Sequence, residues 1–206
     1  MQLTVLTVLA GAVASVSAAG LTPKATVSTF HLVARDLTNS PIDKKVIRAK
    51  DGQLWVGLHV GEQGADCDKD TPSSERATFF LKDDELFLYG GEEDSHQQFG
   101  LDISLEDDQN LDYFNNTLGN PNELVETHGW SIDPGSTLLS YRNHPFVACR
   151  KSDGLFTVGI FTYNVDPDII CYRFNALTVP ASDPVSCRYS ERQPWEDARK
   201  SDGEDL

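Results

Sequence analysis

Between Lys82 and Arg142 the chain has neither lysine nor arginine. Fourteen carboxylates fill that gap, from Asp83, Asp84 and Glu85 to Asp133. A field of that sign repels phosphate, so nucleic acid and anionic lipid are excluded as partners. It would attract cations or a basic polymer. The plainer expectation is a solvated acidic face that keeps the protein soluble at a formal net charge of −15.

Other absences narrow the function further. No apolar stretch after Val16 is long enough to span a bilayer. The charged C-terminus carries no hydrophobic-tail signal for a lipid anchor. The four cysteines, Cys67, Cys149, Cys171 and Cys187, contain no C-x-x-C pair, which argues against zinc. H-E-x-x-H, G-x-S-x-G and a Gly-rich phosphate loop are all missing, so the sequence implies no cofactor and no catalytic residues. The nearest calcium-loop look-alike, Glu106 to Asp112, lacks the EF-hand glycine and the terminal glutamate. His31, His59, His96, His128 and His144 are scattered. Asp83, Glu85, Glu92 and Asp94 offer carboxylate pairs at glycosidase-like spacing. They sit in turns and loops, however, and a general acid needs burial to raise its pKa. Helical periodicity is nearly absent.

What is present reads as a secreted all-β chain. Leu3 to Val16 is apolar and ends in small residues, so residues 1–19 are expected to be a signal peptide cleaved at Ala18 or Ala19. Residues 20–190 form one expected domain, and the charged tail 191–206 is expected to be disordered, with Trp195 able to dock on the domain. Short β-favouring runs recur around tight turns. Phe79-Phe80-Leu81 and Leu86-Phe87-Leu88 flank a charged turn, and Asp51-Gly52 and Asp153-Gly154 lead into similar runs. Some ten to twelve strands follow, with Leu155 to Tyr163 the strongest. Phe99 to Leu105 reads as an edge strand, and Glu106 to Asn122 as a long surface loop. The aromatic-led recurrence favours a β-trefoil-like barrel, with a β-sandwich as the alternative.

An even cysteine count in an oxidising compartment predicts two disulfides. Cys149 and Cys171 flank the strong strand at a spacing a hairpin can close. Cys67 and Cys187 would then join early and late parts of the domain. The alternative is a free cysteine that crosslinks the chain into its surroundings. Asn115-Asn116-Thr117 is the one N-glycosylation sequon, which makes Asn115 the expected glycan site. Trp55 and Trp130 lie in strand patterns, where core packing competes with sugar stacking.

Several segments occur in a fixed order: Phe30-His31-Leu32-Val33-Ala34, Ser40-Pro41-Ile42, Gly64-Ala65-Asp66-Cys67-Asp68, Ala77-Thr78-Phe79 and Glu85-Leu86-Phe87-Leu88-Tyr89. Gly129-Trp130-Ser131-Ile132-Asp133, Ala148-Cys149 and Pro184-Val185-Ser186-Cys187-Arg188-Tyr189-Ser190 complete the series. Together they resemble the PhiA-like cell-wall proteins of filamentous fungi, over roughly residues 30 to 190. The resemblance implies a small secreted wall protein without catalytic residues. It further implies a role in forming phialides and conidia and in stress protection, with cell-wall polysaccharide or wall proteins as partners. Three features depart from the family pattern: the acidic Leu101 to Asn116 region, Arg150 where proline is expected, and the tail beyond Ser190. A secreted carbohydrate-binding module is the second expectation and a secreted hydrolase the third.

Overall fold

A computed structural model describes residues 28–38, 40–69, 75–90, 97–103, 111–118, 125–151, 154–161 and 168–191. The expected signal peptide, the tail with Trp195, and most of the calcium-loop look-alike lie outside the described residues. The chain is all-β. Its strands are β1 (Thr29–Arg35), β2 (Ile47–Lys50), β3 (Gln53–Val56), β4 (Ala65–Cys67), β5 (Phe79–Lys82), β6 (Glu85–Leu88), β7 (Gln97–Asp102) and β8 (Leu111–Asn115). They continue as β9 (Val125–Glu126), β10 (Trp130–Ile132), β11 (Leu138–Tyr141), β12 (Phe146–Arg150), β13 (Phe156–Ile160), β14 (Cys171–Pro180) and β15 (Cys187–Tyr189). A 3-10 turn spans Asn116–Leu118.

The pairings close on themselves. β1 pairs with β5, β5 with β6, β10 with β11, β11 with β14, and β14 returns to β1 over six registered residues. The remaining gap, between β6 and β10, is bridged at the start of β6. There Asp84 O accepts both Gly129 N–H (3.1 Å) and Trp130 N–H (3.0 Å). Gly129 has φ +116°, a conformation that side-chain-bearing residues rarely adopt. Three hairpins, β2–β3, β7–β8 and β12–β13, branch from this ring. They meet one another through β3, which pairs with both β13 and β8. Six strands arranged in a near-ring, joined by three mutually contacting hairpins, make one sheet-rich all-β domain. It leaves few free strand edges.

Local chemistry explains the tight connections. Asp51-Gly52, Asp83-Asp84 and Arg142-Asn143 each have two consecutive positive φ values and sit between directly paired residues. That is the type I′ pattern, whose twist matches the twist of the strands it joins. All three turns use Asp or Asn, which tolerate this region best among residues with side chains.

Aromatic residues fill the interior. Phe99 is fully buried and lies 5.8 Å from Phe79, 5.5 Å from Tyr113 and 6.4 Å from Trp130, centroid to centroid. Trp130 in turn packs on Tyr141 (5.1 Å) and Phe146 (6.3 Å), and Phe146 stacks on Phe174 (5.6 Å). One aromatic chain therefore links β5, β10, β11 and β14 to the β7–β8 and β12–β13 hairpins.

Two local expectations are corrected. The segment 106–122 is not one long surface loop: Leu111 and Tyr113 alternate inward on one face of β8, and Phe114 is buried on the other. The acidic residues around them hid a short strand with the period-two pattern. Phe99 likewise does not lie on an edge strand, because β7 is hydrogen-bonded to β6, β8 and β9. The strand pattern from 155 yields the five-residue β13, whereas β14, with ten residues, is the longest strand.

Candidate functional surface

The cysteines form two disulfides, Cys67–Cys187 and Cys149–Cys171. Each joins residues that are also direct partners in an antiparallel pair. Their settings differ. Cys187 is 2% exposed and belongs to the hydrophobic core, with Cys67 packed against it. Cys149 and Cys171 are half-buried, at strand positions whose neighbours Ala148 and Tyr172 pack into or against the core.

The strand that carries Cys187 is a clasp over one end of the molecule. Gln97 Nε2 donates to Tyr189 O (2.7 Å) and to Glu191 Oε1 (2.7 Å), and Tyr189 N–H donates to Gln97 Oε1 (2.8 Å). Thr78 N–H donates to the Tyr189 hydroxyl (3.1 Å), and Tyr113 OH donates to Ser190 O (2.6 Å). Gly52 N–H adds a bond to the same Ser190 carbonyl (3.0 Å). Burial pushes the Tyr189 hydroxyl up to about 12. The Tyr189 hydroxyl thus stays protonated across the ordinary pH range. A shallow depression lined by Gly64, Ala65, Asp66 and Arg188 to Glu191 runs along it.

The charge is sorted by position in the sequence. Residues 28–82 carry eight acidic and eight basic side chains, and residues 138–191 carry five of each. The fourteen carboxylates of 83–133 have no base among them, so this one stretch of the sequence holds the whole charge imbalance of residues 28–191. Within it a polar chain ties three strands together. Glu85 Oε1 accepts from Gln98 Nε2 (2.5 Å) and Thr127 Oγ1 (2.7 Å), and Asn116 Nδ2 donates to Gln98 Oε1 (3.1 Å). His128 places Nδ1 2.9 Å from Asp84 Oδ1 and Nε2 3.3 Å from Glu85 Oε1. The hydrogen bond to Asp84, then the charge of Glu85, raise the His128 pKa above its ordinary value. Arg142 pairs with Glu126 beside this cluster.

A raised pKa makes His128 a pH-dependent contributor at the ring-closing seam. Its stabilisation is fully present below the unfolded-state value of about 6.5 and is lost as pH rises through the higher folded value. The difference in urea midpoint between wild type and His128→Gln should therefore be largest near pH 5 and shrink toward pH 8. A difference independent of pH would reject this assignment.

His31 behaves oppositely. It is buried, with Nδ1 3.0 Å from Ala77 O, and burial lowers its pKa. His59 and His144 are exposed and lie apart from these clusters. Neither tryptophan of the folded part is freely exposed. Trp130 is 2% exposed in the core, and Trp55 is half-buried with Nε1 donating to Lys50 O (3.0 Å). Asn115 ends β8, and its Oδ1 accepts from both Thr117 N–H (2.9 Å) and Thr117 Oγ1–H (2.7 Å). Sequence reading missed the Gln97–Tyr189 and Glu85–His128 networks. Their members lie far apart in the chain, and only the ring closure brings them together.

Comparison with known proteins agrees with the sequence order of these features. A family model described as "PhiA-like secreted protein" matches residues 30–190. The cell wall protein phiA of Emericella nidulans is 29% identical over 195 residues, covering 92% of this chain and all of that protein. The cell wall protein phiA of Arthroderma benhamiae is 30% identical over 144 residues, 66% of this chain and 75% of that one. That of Aspergillus fumigatus is 26% identical over 187 residues, 89% and 97% of the two chains. No solved structure matches. With its cysteines, its clasp and its aromatic chain all inside the matched region, the chain belongs to the family of PhiA-like secreted proteins.

Proposed function

We propose that this chain is a non-catalytic, secreted structural or interaction protein of the fungal cell wall, acting in the formation of phialides and conidia and in stress protection. Family membership over residues 30–190, with relatives named as cell wall proteins, carries the proposal. The use of polar side chains is consistent with it. His31, Gln97, Tyr113 and Tyr189 are spent on bonds that hold the fold. Residues 1–19 act as the signal peptide and 20–190 as the mature domain in this reading, followed by the charged tail. Wall polysaccharide or other wall proteins are the partners. Fractionation of sporulating hyphae tests the placement. The protein should stay with the washed wall, and recovery solely from the culture filtrate would count against it.

A second reading, sugar binding, is favoured by one observation, the half-buried Trp55 on the β2–β3 hairpin. Burial of Trp130 removes a second stacking candidate, and the third, Trp195, lies outside the described residues. Titration with chitin or glucan oligomers should leave tryptophan fluorescence unchanged under the structural reading. Quenching that disappears in Trp55→Ala would favour the sugar-binding one.

Asn115 is the proposed N-glycan site. Treating the secreted protein with an N-glycosidase should remove a single glycan, and Asn115→Gln should abolish the mass shift. An unshifted wild-type protein would refute the assignment.

A further inference from the structure

The two disulfides differ in the burial of one partner and in the charge beside them. Strand geometry sends alternate side chains to opposite faces. In β12 and β14 the inward set includes Phe146, Ala148, Phe174 and Ala176, all buried. Cys149 and Cys171 alternate with these, so their bond lies on the outer face, half-buried. The cationic residues Lys151 and Arg173 are the next positions on that face, and both are exposed. Exposed Ile169 (46%) and Ile170 (52%) lead directly into Cys171. In Cys67–Cys187 one partner, Cys187, is 2% exposed in the core, while Cys67 is half-buried against it between the acidic, exposed Asp66 and Asp68.

We propose that Cys149–Cys171 is a thiol-exchange site through which this protein can be joined covalently to a cysteine of another chain. The incoming partner is a thiolate. It bonds to Cys171 Sγ, the Cys171–Cys149 bond breaks, and the electron pair leaves on Cys149 Sγ. One disulfide replaces another, so no external oxidant or reductant is consumed. Cationic neighbours stabilise the departing thiolate, and a better leaving thiol and open access both speed exchange. The fold is arranged to survive the step. Phe146↔Phe174, Val147↔Arg173 and Ala148↔Tyr172 keep β12 paired with β14, and β13 holds the other edge of β12. The site is distinct from the wall role proposed above, because its chemistry is read with a soluble thiol and needs no wall.

The test is timed exposure of the native glycosylated protein to reduced glutathione, followed by differential alkylation and peptide mapping. Cys149 and Cys171 should become labelled at least about tenfold faster than Cys67 and Cys187, with the glutathione adduct mainly on Cys171 and the circular dichroism unchanged. Lys151→Gln should slow that exchange about threefold while leaving the urea midpoint in place. Equal rates at both disulfides, earlier opening of Cys67–Cys187, or reaction only after unfolding would each overturn the proposal. An undiminished rate in Lys151→Gln would overturn the role of the flanking charge.

Discussion

Phe99→Ala is expected to cost about 3–5 kcal/mol of unfolding free energy, the usual range for deleting a buried phenylalanine ring. Phe99 is fully buried and touches Phe79 on β5, Tyr113 on β8 and Trp130 on β10. Removing its ring leaves a cavity where β5, a hairpin strand and the ring-closing strand converge. Those strands are fixed by hydrogen bonds on all sides and cannot easily collapse inward. Urea unfolding of the variant measures the loss. Leu37→Ala is the control, since Leu37 is 88% exposed and surface changes of that kind stay within about 0.5 kcal/mol. Similar losses in the two variants would contradict the packing described here.

Loss of the Cys67–Cys187 bond has the second large effect. The two cysteines are 120 residues apart in sequence, against 22 for Cys149 and Cys171. In the chain-entropy model the longer loop contributes close to 5 kcal/mol and the shorter about 3. The gap should widen further in practice. Cys187 anchors the clasp that Gln97, Thr78 and Tyr113 bind, whereas β12 and β14 remain paired without their disulfide. A whole domain has about 5–15 kcal/mol of stability. The double variant Cys67→Ala/Cys187→Ala should therefore lose much of its cooperative transition. Cys149→Ala/Cys171→Ala should keep a sharp one at a lower midpoint. The opposite ranking in parallel urea melts would reject the clasp as a main support.

Much of this fold was legible in the residues. The hairpin turn at Asp83-Asp84 and the runs beside it announced β5 and β6, and the recurrence of that phrase pointed to an all-β domain. Strand β8 was hidden because Leu111, Tyr113 and Phe114 sit among acidic and amide residues whose composition reads as loop. The edge assignment of Phe99 failed for another reason. Whether a strand lies at an edge is decided by pairing with distant segments, here with residues 85–88 and 111–126. Non-local pairing also produced the seam. Nothing in the neighbourhood of His128 shows that Asp84 and Glu85 will face both of its ring nitrogens. The acidic run was visible from composition alone.

The most direct test of the structural role is the number of conidia formed by a strain lacking this protein, compared with the same strain carrying the wild-type chain. The account predicts that conidia and phialides fall several-fold on deletion while hyphal growth continues, and that the wild-type chain restores them. Unchanged sporulation in the deletion strain would contradict it.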